Sequence, residues 1–164
     1  MARLDPVWSA SRLATAACAV AADMLHARLA GFPRRVEECS AAWLADALEP
    51  AFPGLRLRDI ALLDHHSGTT SRARIALDWE SAGAGGPPPP ATLFLKLTPR
   101  EPVQRLFLAA TGIGRNELRF YRAVRPGLPV RAPQLYGLRR LGAGRQFVLL
   151  LEDLAAGQVR LPDL

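Results

Sequence analysis

Two side chains in this 164-residue sequence, Lys96 and Glu117, have types and settings that point to chemistry. Lys96 is the sole lysine, against twenty arginines, and it sits inside the apolar run Ala91-Thr92-Leu93-Phe94-Leu95-Lys96-Leu97. That run reads as a core strand. A compact ammonium there is costly to desolvate unless it has a partner or an anionic ligand. Phosphate is one anion that lysine grips as a point charge. Glu117 lies in the segment 113–124, where Ile113, Phe120, Tyr121 and Val124 recur at helical period as one apolar stripe. The glutamate falls within that stripe, while Arg115, Arg119 and Arg122 fall on the opposite face. Arginines outside and a carboxylate inside is the reverse of simple solvation. At about 4 Å and an effective dielectric near 20, the two groups attract by about 4 kcal/mol before desolvation is subtracted. Buried pairs often add little net stability, so a functional reason is the better one. The plainer alternatives are a lysine snorkelling from a strand end and a glutamate reaching water past a helix end.

A second cluster precedes them, in Asp64-His65-His66-Ser67-Gly68-Thr69-Thr70-Ser71-Arg72. A glycine followed by three hydroxyl residues in a hairpin turn is able to fold backbone N–H groups and hydroxyls over a phosphate chain. His65 and His66 are neighbours in an extended segment and point to opposite faces, so a shared metal is not expected.

The elements that must position these groups follow from periodicity. Residues 8–30 read as one helix ended by Gly31 and Pro33, and a second runs from Val36 to Leu48 with Trp43, Leu44, Ala47 and Leu48 on its apolar side. From Leu55 the period becomes two, with a phase slip near Asp59 as at a bulge. In the next strand Ala73, Ile75, Leu77 and Trp79 face one way, and Arg72, Arg74 and Asp78 the other. The tract Ser81–Pro90, with four consecutive prolines, reads as a linker to the lysine strand. After the glutamate helix come strands at Ala132–Leu138 and Gln146–Leu151, split by a turn at Gly142 and Gly144. The expectation is an α+β fold: a five-stranded antiparallel sheet with one helix inserted after the third strand, preceded by N-terminal helices. It divides into a helical extension over 1–35, a lobe over 36–155 and the start of a linker over 156–164.

Composition is ordinary for a globular domain, 49% hydrophobic and 22% charged. The net charge of +6 favours anionic partners, nucleotide among them. Eight arginines and one acidic residue lie between Arg115 and Arg145, the main support for a nucleic-acid-binding module. Against it, the aromatics Phe120, Tyr121 and Phe147 fit core positions rather than stacking platforms. Cys18 and Cys39 form no C-x-x-C pair, which fits a reducing compartment. No run approaches the ~20 apolar residues that span a bilayer, so no membrane partner and a cytoplasmic location are expected.

Several short segments then fall in a telling order: Trp43-Leu44, Ser67-Gly68-Thr69-Thr70-Ser71, Leu95-Lys96-Leu97, Asn116-Glu117-Leu118-Arg119-Phe120-Tyr121, Pro129-Val130-Arg131-Ala132-Pro133 and Leu149-Leu150-Leu151-Glu152-Asp153-Leu154. Over roughly residues 38–155 the chain resembles the small lobe of the aminoglycoside phosphotransferase and ecdysteroid-kinase-like family of small-molecule kinases. The resemblance implies ATP as cofactor. Lys96 would hold the α- and β-phosphates, Glu117 would fix its ammonium, and Ser67, Gly68, Thr69, Thr70 and Ser71 would lie over the phosphates. The backbone at Glu152, Asp153 and Leu154 would be the hinge that bonds the adenine edge, and Phe120-Tyr121 would anchor the helix to the sheet. The turn departs from the pattern by carrying a single glycine.

Phosphoryl transfer also needs an aspartate at the acceptor hydroxyl and ligands for Mg²⁺. In the family these follow the hinge, in a large lobe with a His-x-Asp loop that also holds the acceptor pocket. None of His26, His65 and His66 begins a His-x-Asp. The chain is therefore expected to bind nucleotide but not to transfer phosphate alone, with no catalytic residue of its own. Without a large lobe, apolar groups near Leu151, Leu154 and the inner face of the glutamate helix would be exposed. A non-catalytic scaffold lobe is the other alternative.

Overall fold

The computed structural model describes residues 6–80, 88–142 and 144–157. It is an α+β fold built on one five-stranded antiparallel sheet. The strands are β1 (Leu57–Ser67), β2 (Ser71–Trp79), β3 (Thr92–Leu97), β4 (Leu135–Leu141) and β5 (Gln146–Glu152), in spatial order β1-β2-β3-β5-β4. Among the described residues four α-helices accompany them: α1 (Pro6–Leu29), α2 (Ala41–Leu48), α3 (Pro102–Thr111) and α4 (Ile113–Arg119).

Period-two alternation gives the sheet two faces of different character. On one, Ala73, Ile75 and Leu77 of β2, Leu93, Leu95 and Leu97 of β3, and Val148 and Leu150 of β5 form a closed core with α2. Ala27 and Phe32, from the segment expected to be an extension, belong to that same core. Ser40 caps α2, its hydroxyl accepting from the Trp43 N–H at 3.2 Å, and this sets Leu44, Ala47 and Leu48 inward. The opposite face carries a smaller cluster of Leu118, Phe147, Leu149 and Leu151, with Phe94, Tyr121, Leu135 and Leu138 against it. Helix α1 packs along α3 and is tied to the sheet where buried Asp23 accepts from Arg145 Nε at 2.6 Å.

The expected slip in the first strand is present as register shifts between Leu57 and Asp59 and again between Leu62 and Asp64. Other expectations need correction. The helical insertion after β3 begins at Pro102, with α3 before the glutamate helix. Pro102 starts α3, and Gly112, at φ 69°, ends it in the left-handed conformation that favours glycine. The fourth strand is Leu135–Leu141 rather than 132–138, because Arg125 donates to the carbonyls of Ala132 and Pro133 and holds them in a loop. The second helix is split into a 3₁₀ turn at Val36–Glu38 and α2. Leu151 is buried, not exposed, whereas Leu154 is exposed as expected. Most of the Ser81–Pro90 tract, and residues 158–164 of the expected linker, lie outside the described residues.

Candidate nucleotide site

Lys96 pairs in register with Arg72 on one side and Leu149 on the other, so its side chain stands on the face away from the closed core. There the ammonium donates to Glu117 Oε1 in an ion pair. Both side chains are about a fifth exposed, 22% for the lysine and 17% for the glutamate. The pair is half-sheltered: water is thinned enough to strengthen the attraction but not excluded.

Glycine brings the glutamate close. A methyl group at Gly114 would meet the Phe147 ring at 2.8 Å, and one at Gly144 would meet Leu118 at 2.9 Å. Helix α4 therefore sits tight on β5 through Gly114 and Leu118, and Glu117 reaches the lysine. The face turned inward is thus Gly114, Glu117, Leu118 and Tyr121; of the stripe read from the sequence Tyr121 turns in with Glu117, but Ile113 and Val124 do not. Ile113 and Val124 are exposed. The helix opens into a π turn over Phe120–Val124, and that change of pitch ends the 3.6-residue phase on which the stripe depended.

A cleft of about 310 Å³ opens beside the pair, walled by Phe94, Tyr121 and Leu151, by Arg72 and Arg74, and by the chain at Glu152–Ala155. Its end at 152–154 is pinned by charge. Glu152 accepts from Arg131 Nη1 and Nη2 at 2.7 and 2.6 Å, and from the Gln134 N–H at 3.1 Å. The Arg131 hydrogen bonds hold its carboxyl down at about 2. Asp153 is buried, which alone would raise its pKa, but the hydrogen bond it accepts from Arg74 Nε at 3.0 Å, with Arg74 Nη2 in ion-pair contact at the same distance, keeps it below the usual range. The Arg74–Asp153 pair runs from β2 across β3 to the end of β5. Burial, and then the Glu117 charge, raise the Tyr121 phenol, so it lines the cleft as a neutral group.

The structure thus gathers Lys96, Glu117, Glu152, Asp153 and Leu154 around one cleft. It does not bring the hydroxyl turn there. Ser71 pairs with Leu97, which aims it at the face opposite Lys96, where its hydroxyl lies 3.0 Å from His65 Nε2. Ser67 pairs with Ser71 and shares that orientation. Thr70 is buried, Gly68 donates its N–H to the Thr70 carbonyl at 3.2 Å, and neither they nor Thr69 line the cleft. Parity is the physical reason, since one residue along a strand reverses the face.

Arg72, Arg74 and Phe94 are among the cleft residues that the sequence did not assign to the site. For Phe94 the signal was present, because a residue two positions from Lys96 in a strand shares its face. No family model, curated protein or solved structure matches the chain.

Proposed function

We propose that this chain is the nucleotide-gripping lobe of a kinase that phosphorylates a hydroxyl of a small molecule, with ATP as phosphate donor. The observation that carries this reading is the Lys96–Glu117 ion pair beside a cleft that is aromatic on one wall and bounded by the end of β5. The residues fit a nucleotide. Phe94, Tyr121 and Leu151 offer an apolar slot for a planar base, and the volume falls within the range of ligand pockets, about 300–1,000 Å³. The ammonium of Lys96, steadied by Glu117, is the anchor for phosphate. Residues 152–154 stand where a base edge would meet backbone.

The same cleft does not fit Mg²⁺. Its three carboxylates, Glu117, Glu152 and Asp153, are already engaged by Lys96, Arg131 and Arg74. This chain's part is to hold and orient the nucleotide; no residue here is proposed to deprotonate an acceptor. The nucleic-acid alternative loses ground because Arg125, Arg131, Arg139 and Arg145 are spent on internal contacts with Pro133, Glu152, Asp46 and Asp23. Among the described residues no helix is long and apolar enough to cross a membrane.

Calorimetric titration of the purified chain with ATP tests the reading. Lys96→Ala is expected to weaken binding about ten- to a hundredfold, the scale of a lost charge-assisted hydrogen bond. Equal ATP affinity in the variant and the parent chain would remove the basis of the proposal.

A further inference from the structure

Three cations line the cleft, and they are not equivalent. Lys96 is paired with Glu117, and Arg74 with Asp153. Arg72 is exposed and has no hydrogen-bond or ion-pair partner among the described residues. It pairs in register with Lys96, so the two side chains leave adjacent strands on the same face. It also lines a shallower hollow continuous with the cleft, shared with Asp64, His66, Arg74 and Phe94. The guanidinium lies over the hairpin turn: a methyl group at Gly68 would be 3.7 Å from Arg72 Nη2 and 3.8 Å from His66 Nε2. Asp64 stands opposite Arg74 in register, with no ion pair to either arginine.

Resting on the nucleotide reading above, we infer that Arg72 is the second phosphate anchor, and that the site selects ligands with two or more linked phosphates. The missing ion pair singles out this residue. Of the cleft's cations only Arg72 has no ion pair among the described residues, Asp64 of the same hollow included, while the end at 152–154 is neutralised pair by pair. A polyphosphate lying from Lys96 toward the turn meets an ammonium and then a planar fork able to bind two oxygens at once. A single phosphate held by Lys96 alone leaves the fork empty. Thus the hairpin contributes to phosphate binding through a strand arginine, and the Ser-Thr hydroxyls on the far face and in the turn do not take part. The base, by the same polarity, lies toward Phe94 and residues 152–154.

The test compares adenosine, AMP, ADP, ATP and inorganic tripolyphosphate on the full chain in a chelating buffer, by calorimetry. For the parent chain, affinity is expected to rise steeply from AMP to ADP. Arg72→Ala is expected to lower ADP, ATP and tripolyphosphate affinity about tenfold and leave adenosine and AMP unchanged. Arg72→Lys should restore part of the loss. Arg119→Ala, which removes an equal charge from an exposed site away from the cleft, should leave all five ligands unaffected. Circular dichroism checks that the exposed Arg72 is dispensable for folding. If nucleotides bind but Arg72→Ala changes every ligand equally or none, the inference fails and the nucleotide reading stands. If tripolyphosphate binds in an Arg72-dependent way and adding adenosine gains nothing, the anion site stands and the nucleotide reading fails. Absence of all binding by the parent chain overturns both.

Discussion

The two faces of the sheet are made from the same strands and serve opposite ends. In β3, Leu93, Leu95 and Leu97 point into the closed core at 0–1% exposure, while Thr92, Phe94 and Lys96, interleaved with them, stay half-exposed on the other side. In β2 the buried Ala73 and Ile75 alternate with Arg72 and Arg74. The closed face gains stability from apolar area removed from water, and its composition is accordingly monotonous. The open face holds cations, carboxylates and an aromatic ring, which cost desolvation and return little net stability. Strand parity lets one backbone carry both without either compromising the other. It also makes register critical, because a slip of one residue would send Lys96 into the leucines.

The comparison breaks most readily at Leu95. Leu95→Ala leaves a hole in a fully buried layer and is expected to cost about 2–5 kcal/mol by urea denaturation. Lys96→Ala, one residue along, should cost far less stability while weakening ATP binding about ten- to a hundredfold. If Leu95→Ala, measured while still folded, loses as much ATP affinity as Lys96→Ala, the two faces are not independent.

Gly114 is where the faces meet. Gly114→Ala sets a methyl group 2.8 Å from Phe147, and residues 146–151 of β5 around that ring are buried. Overpacking of this kind costs about 1–3 kcal/mol. Unlike a change at Leu95 or Lys96, it should lower stability and ATP affinity together, because pushing α4 outward also carries Glu117 from Lys96. A stable variant with full affinity would show that the helix tolerates a looser seat.

The ion pair itself should weigh less. Its groups are partly hydrated, so Glu117→Ala is expected to destabilise by about 1.5 kcal/mol, the lower end for breaking a charged hydrogen bond. A double-mutant cycle with Lys96→Ala isolates the coupling, and a value near zero would mean the two groups meet without consequence for folding.

How much of this was legible in the sequence follows the range of the interactions. Alternation within β2, β3 and β5 was readable because parity is local, and it set Arg72 and Arg74 opposite Ala73 and Ile75. Lys96 and Glu117 could be matched because each was the wrong residue for its surroundings. Register was not readable: nothing in 64–72 says that Arg72, not Ser71, stands beside Lys96. Arg74 and Asp153 are 79 positions apart and meet only because β3 lies between their strands. Helix α3 was missed although Pro102 and Gly112 mark its ends. Its inward face includes Arg105, buried with its guanidinium on Gln146, and an arginine there hides the apolar period.

The smallest effect expected lies at the end of β5, and its sign follows from the direction of the shift. Glu152 sits at about 2 when folded against an ordinary 4.5, so the unfolded chain takes up its proton first as pH falls. The stabilisation from its Arg131 fork is fully present above about pH 4.5 and is lost as pH falls toward 2. Asp153, also lowered, contributes in the same direction. Arg131→Ala should therefore reduce thermal stability slightly at neutral pH, and the gap from the parent chain should close between about pH 4.5 and 2. Because Arg131 is well exposed, added salt should narrow the same gap at neutral pH. A gap independent of both pH and salt would assign the arginine to packing of the 128–134 loop, and would leave the pinning of residues 152–154 to Arg74 and Asp153 alone.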